Sequence, residues 1–306
     1  MGNATNKAVG GENHMSSKRE LQKLHWPSKL ANRKVIWLSI CHAKPTGDEI
    51  VAEYSDYLKL WLESPEEGHE KRCIEADIPR TFPQRMDGTS HRPQDGLSPQ
   101  DHSELPRHYA SLYNVLGAVV MTTLNIETTR VQLSYISGMS FIASFLLVVG
   151  EGDEHFAYTM MVHICRKCAW LRRGDGALTL QAELNRIESV LGAEFPSLRE
   201  AFETRGLPSA QMYAADFMVM FCKYQLPFDF TVWCWDQMIA RDDPAVCAGS
   251  ALVALLGCSQ KALKAKLSRN ELDGGFHKLA PLLSTVDRGK FHRVYGGLLD
   301  RYPALE

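Results

Sequence analysis

Between Ile74 and Pro83 the chain reads Ile-Glu-Ala-Asp-Ile-Pro-Arg-Thr-Phe-Pro, an arginine three residues after an aspartate. On a helical turn that spacing puts Asp77 and Arg80 on one face, where the carboxylate can hold the guanidinium by a charge-assisted bond and aim it outward. Pro79 is expected to end the helix at Ile78, because proline has no N–H to donate and disfavours helical backbone in the residue before it. Taken alone, the pattern also fits a capped helix end with a surface ion pair, which is structural and weak.

Other groups with chemical capacity are fewer. His163, Cys165 and Cys168 form the best metal or redox candidate, since Cys-x-x-Cys lets two thiolates meet one zinc. A structural site wants four ligands, and Cys222, Cys234, Cys247 and Cys258 supply no second short-spaced pair. The plain alternative is two half-buried thiols a turn apart. Gly138-Met139-Ser140-Phe141-Ile142 lacks the second glycine of a nucleophile elbow, which argues against a serine hydrolase. There is no Gly-x-x-x-x-Gly-Lys-Ser/Thr loop, and Gly174-Asp175-Gly176 is not followed by the third glycine of a dinucleotide fingerprint. With 34 Lys and Arg against 36 Asp and Glu, no overall basic field exists to hold nucleic acid or an anionic membrane. A partner must be recognised locally.

The elements that must carry these residues read as helices. Ile50, Tyr54, Tyr57, Leu58 and Trp61 fall on one face, behind the capping-box pattern Thr46-Gly47-Asp48-Glu49. Leu180, Leu184, Ile187 and Leu191 form a second stripe, and Leu198 with Phe202 a shorter one ended by Gly206. Phe228, Phe230, Val232 and Cys234 alternate with Asp229, Thr231, Trp233 and Trp235 as a strand would, so periodicity leaves that segment undecided. Strand-like runs elsewhere are short, and Asn-Gly or Asp-Gly hairpin signals are missing between apolar runs, so the class is mainly α. The uncharged stretch from Val131 to Gly150 has the length of a membrane span, but five polar residues interrupt it, and it is expected to be a buried core helix.

Residues 1–22 and 84–104 are polar and poor in large apolar side chains, and are expected to be a disordered N-terminal segment and a loop-like insertion. No basic, apolar and small-residue series marks a secretory signal, so the eight cysteines are expected to be reduced thiols in a cytoplasmic protein. Met1-Gly2-Asn3-Ala4-Thr5-Asn6 approaches a myristoylation signal but has Asn6 where serine or threonine is required.

The segment around Arg80 resembles the first motif of the TBC-domain GTPase-activating proteins of Rab GTPases, with Ile74, Asp77 and Arg80 followed by Thr81-Phe82-Pro83. Further motifs follow in order: Leu112-Tyr113-Asn114-Val115-Leu116-Gly117-Ala118, Tyr135-Ile136-Ser137-Gly138-Met139, Met212-Tyr213-Ala214, Phe221, Leu226-Pro227-Phe228 and Trp235-Asp236. Pro27, Arg33 and Trp37 are similar to the family's first helix. The likeness covers roughly residues 26 to 260. It implies an all-helical fold of two helical subdomains, helix at Phe228, a domain over 23–270 containing the 84–104 insertion, and a helical extension over 271–306. It also implies a Rab partner reached in membrane traffic, peripheral placement on endomembranes through that Rab, and no cofactor beyond the GTP and Mg²⁺ that the GTPase carries.

The implied activity is acceleration of GTP hydrolysis, in which γ-phosphate cleavage spreads negative charge over oxygens while a water is held in line. An arginine supplied in trans raises turnover by about 10³ to 10⁵, or roughly 4 to 7 kcal/mol of barrier. The resemblance gives this role to Arg80, with Asp77 as its orienter, and gives Ile74, Tyr135, Gly138, Met139, Phe221, Trp235 and Asp236 to the motif framework and Rab-facing surface. The family's water-positioning glutamine is replaced by Ser137, whose hydroxyl reaches less far and cannot offer an amide's separate donor and acceptor. Gln132 lies nearby in a different register. Asp216 stands where the family has tryptophan, Trp233 where it has arginine, and Ser134 where it has glycine. Two functions are consistent with this pattern: an activator working through Arg80 alone, and a catalytically impaired Rab-binding scaffold. Deleting 84–104 is expected to alter Rab preference; an unchanged response across a Rab panel would mark the segment as passive.

Overall fold

Apolar residues at three- and four-residue spacing become helices along most of the chain. The computed structural model describes residues 30–41, 47–81, 105–126, 129–172, 176–207, 226, 228–241, 243–269, 271–272 and 285–302. Two compact units divide it, residues 1–174 and 175–306.

The first unit contains α1 (Leu30–Cys41), α2 (Gly47–Glu63), α3 (His69–Thr81), α4 (Leu105–Met121), a hairpin of β1 (Thr123–Ile126) and β2 (Thr129–Gln132), α5 (Met139–Val149) and α6 (Glu154–Lys167). Helix α4 packs against α2, α3, α5 and α6 and is the hub of this unit. Its Leu112, Val115, Leu116, Ala118 and Val119 are fully buried. Gly117 faces the Trp61 indole so closely that an added Cβ would lie 2.1 Å from Nε1, so only glycine lets α2 and α4 approach at this point. Trp37 of α1 stacks on Phe156 of α6 at 6.3 Å and tilts against Phe145 of α5 at 6.4 Å.

The second unit contains α7 (Gly176–Glu194), α8 (Pro196–Glu203), α9 (Phe228–Ala240), α10 (Pro244–Cys258), α11 (Gln260–Ser268) and α12 (Arg288–Arg301). Its centre is α10, buried from Pro244 to Gly257 and packed against α7, α9, α11 and α12. Of the predicted stripes, Leu184, Ile187 and Leu191 are buried on α7 with Leu180 half-buried, and Leu198 and Phe202 are buried on α8. Gly206 follows α8 in the left-handed region at φ 64°.

The segment at Phe228 is helix, because α9 is surrounded by apolar neighbours and needs no alternation of exposed and buried faces: every residue from Phe230 to Ala240 is buried. Trp233 sits in an aromatic cluster with Phe291 at 5.5 Å and Tyr295 at 5.3 Å, so at this departure from the family pattern a packing residue stands where arginine is usual. Ser134 is also buried.

Two expectations need correction. The 131–150 stretch is not one helix: Val131 and Gln132 end β2, Leu133 to Gly138 form an extended segment and turn, and α5 begins only at Met139. Gly138 at φ 106° sets that start, since its left-handed backbone cannot continue a helix upstream. The short hairpin, with Leu124 opposite Val131 and Asn125 opposite Arg130, is the only strand pair among the described residues of an otherwise all-helical fold, as expected. Helix α3 runs through Pro79 to Thr81 rather than ending at Ile78. The last turn survives because Ile78 and Thr81 are buried, and because Thr81 Oγ1 donates to the Asp77 carbonyl at 2.8 Å and Arg80 Nε to the Ala76 carbonyl at 3.1 Å.

Among the described residues no single helix is long and apolar enough to cross a membrane. The N-terminal segment 1–22, the insertion 84–104, Pro27, Thr46, Phe82, Pro83, the segment from Met212 to Phe221 and Pro227 lie outside the described residues. Replacing Gly117 by alanine is expected to drive a methyl into Trp61 and destabilise the protein by about 1 to 3 kcal/mol. A urea midpoint equal to that of the natural chain would show that α2 and α4 separate without loss.

Candidate functional site

The end of α3 and the turn before α5 meet at one carboxylate. Asp77 Oδ1 accepts from Arg80 Nη2 in a close ion pair. Asp77 Oδ2 accepts from Tyr135 Oη at 2.7 Å and from Ser137 Oγ at 3.2 Å. The Asp77 side chain is 12% exposed and that of Arg80 70%. A mostly buried carboxylate requires donors to replace its lost water, and three side chains supply them. The guanidinium is held through Nε by the Ala76 carbonyl and through Nη2 by Asp77, while the side chain as a whole stays largely exposed.

The turn is tied to α3 a second time. Glu70, in the first turn of α3, accepts from the Tyr135 backbone N–H through Oε2 at 2.9 Å. Within the turn, Met139 N donates to the Ile136 carbonyl at 3.0 Å and Ile136 N approaches Met139 Sδ at 3.2 Å, so the buried methionine shapes the loop that presents Ser137. Gly138 provides the left-handed step that lets Ser137 project outward while Met139 turns into the core. Ile74 lies one turn before Asp77 with its side chain fully buried, anchoring α3. Burial holds the Tyr135 phenol above its ordinary pKa, and the Asp77 carboxylate adds to this. The phenol is therefore a neutral donor across the physiological range.

The structure thus brings Asp77, Arg80, Tyr135, Ser137, Gly138 and Met139 into one cluster. Trp235 and Asp236 belong to the second unit, where both are buried on α9. Gln132 closes the hairpin opposite Thr123 and is exposed. Glu70 was not among the residues expected from sequence. Locally it is an ordinary acidic residue of a helix first turn, and only its contact with Tyr135, 65 positions away, distinguishes it.

The candidate metal or redox set is differently placed. Cys165 and Cys168 are fully buried, and burial pushes the Cys165 thiol up to about 12. No group of three His, Cys, Asp or Glu side chains among the described residues is arranged to hold a metal.

Removing the Tyr135 hydroxyl (Tyr135→Phe) is expected to destabilise the protein by roughly 1 to 3 kcal/mol, because a buried carboxylate loses its shorter Oδ2 partner. Ser137→Ala is expected to cost less, since its bond is longer and the residue is exposed. Urea unfolding of both variants checks the order; equal losses would show that the two donors share the carboxylate evenly.

The Rab-GTPase-TBC domain family matches residues 26–264. No curated protein matches the chain in sequence. Among solved structures, the TBC domain of a Chlamydomonas flagellar RabGAP is similar over 95% of this chain and 92% of that one, with TM-score 0.61 and 16% identity, a likeness of fold. Since the family match runs from before α1 into α11 and takes in every element that builds the Asp77 cluster, the chain belongs to the RabGAP-TBC family.

Proposed function

We propose that this protein is a GTPase-activating protein for a Rab-type small GTPase, supplying Arg80 in trans to the charge that develops on the γ-phosphate. The observation that carries this reading is the contrast between the two ends of one ion pair: Asp77 is largely buried, whereas Arg80 is 70% exposed. The guanidinium is oriented through Nε and Nη2 while most of the side chain stays exposed, as an electrostatic catalyst working across an interface must be.

Ser137 shapes the mechanism. Its hydroxyl points to Asp77, so it contributes to holding the arginine's carboxylate rather than reaching towards a partner. Alignment of the attacking water then falls to the GTPase's own glutamine, as with Ras-type activators. The GTP and its Mg²⁺ are carried by the GTPase, and this chain needs none of its own. The domain spans 23–270, with 271–306 as a helical extension, and the protein acts in the cytoplasm in regulation of membrane traffic. A second reading, a catalytically impaired TBC module that binds a Rab as a scaffold, is favoured by the same Ser137 observation, because a hydroxyl whose proton is given to Asp77 has no donor left for a water and lacks a glutamine's reach.

Single-turnover GTP hydrolysis across a Rab panel separates the two. The natural chain is expected to accelerate at least one Rab, Arg80→Ala to lose about 10³-fold of that acceleration, and Ser137→Gln to increase it. If GTP-loaded Rab binds the natural chain without faster hydrolysis, the scaffold reading stands; if Arg80→Ala is as active as the natural chain, the role of Arg80 is wrong.

A further inference from the structure

The chain is close to neutral as a whole, but its charge is unevenly distributed. The described residues of 259–302 contain eight Lys and Arg against three Asp and Glu. Helix α11 has no acidic residue: Leu263 and Leu267 are buried, and Lys261, Ala262, Lys264 and Ala265 are exposed. Lys290 and Arg293, one turn apart on α12, are exposed as well. Lys290 Nζ donates to the carbonyl of Cys258, the last residue of α10, at 3.3 Å, which sets α12 beside the junction where α11 begins.

Of the three carboxylates in this stretch, Glu271 is paired with cations, whereas Asp287 caps a helix and keeps its charge. Asp287 accepts from Lys290 N at 2.6 Å as the cap of α12, and Glu271 pairs with Lys266 at 3.5 Å and Arg269 at 3.7 Å. Lys261, Lys264, Lys290 and Arg293 have no carboxylate partner among the described residues.

We propose that this surface, Lys261 and Lys264 of α11 with Lys290 and Arg293 of α12, binds an anionic lipid membrane directly. Three of the four charges are lysines, compact ammonium groups on flexible stems that settle on phosphate or carboxylate in any arrangement; an evolved pocket for one anion favours arginine's fixed fork. The exposed residues between the lysines of α11 are alanines, Leu263 being buried, so no large apolar anchor for a protein partner stands among them. Lipid headgroups, densely charged and without fixed geometry, complement such a surface. Each basic residue close to an anionic leaflet strengthens association about fivefold, so four together give roughly several hundred-fold, screened by salt.

Flotation of the full chain with vesicles of phosphatidylcholine alone, and of phosphatidylcholine with phosphatidylserine, tests this. Binding is expected only with phosphatidylserine, weakening steeply as salt is raised. K261E/K264E is expected to reduce it more than a hundredfold, because reversal replaces attraction by repulsion, and adding K290E and R293E to abolish it, with unchanged thermal unfolding showing that the variants are folded. Arg80→Ala is expected to float like the natural chain, so the outcome is independent of the activator reading. Equal flotation with and without phosphatidylserine, or undiminished flotation of the four-residue variant, overturns the proposal. So does a natural chain that ignores phosphatidylserine yet binds a soluble GTPase in a manner lost in K261E/K264E, since the surface would then serve a protein.

Discussion

The carboxylate of Asp77 accepts three side-chain donors while being mostly withdrawn from water, and the geometry of the site follows from that requirement. A desolvated carboxylate is tolerated only when its oxygens are satisfied, so Arg80, Tyr135 and Ser137 cannot move independently of one another. Two segments that the sequence separates by nearly sixty residues become a single rigid edge. Glu70 reinforces it by capturing the Tyr135 N–H, fixing the turn to the opposite end of the same helix.

The same requirement explains why α3 continues past a proline. Pro79 removes one backbone donor and restricts Ile78, which costs helix stability. Burying Ile78 and Thr81 against the core, with Thr81 Oγ1 and Arg80 Nε bonding to last-turn carbonyls, offsets the loss. Were the helix to stop at Ile78, Arg80 would leave the face it shares with Asp77. Tertiary packing therefore sets the direction of the guanidinium, with local propensity working against it.

Ser137 shows how one substitution changes the division of labour at a site without dismantling it. A glutamine at this position would extend beyond the carboxylate, whereas serine's short side chain bonds to Asp77 itself. The hydroxyl joins the arginine's support, and the serine side chain is shorter than a glutamine's. The departure at Trp233 is of another kind: it is absorbed into the aromatic core between α9 and α12.

Helix positions, the core stripes of α2, α7 and α8, and the Asp77–Arg80 pair were legible because they depend on residues three or four apart, the separation at which periodicity and side-chain contact operate. The family motifs extended that to the Tyr135–Met139 turn. Not legible were the helix running through Pro79, the break of the 131–150 stretch into hairpin and helix, and the part played by Glu70; periodicity left Phe228 to Ala240 undecided, and only the family likeness gave it as helix. Each is decided by what surrounds the segment: burial outweighs a proline, and a fully enclosed helix loses the periodicity that would identify it. The sequence by itself determined that an arginine would stand beside an aspartate at the end of a helix. Only the tertiary structure decided where that arginine points, because the donors that fix its carboxylate come from a distant turn whose approach no local pattern encodes.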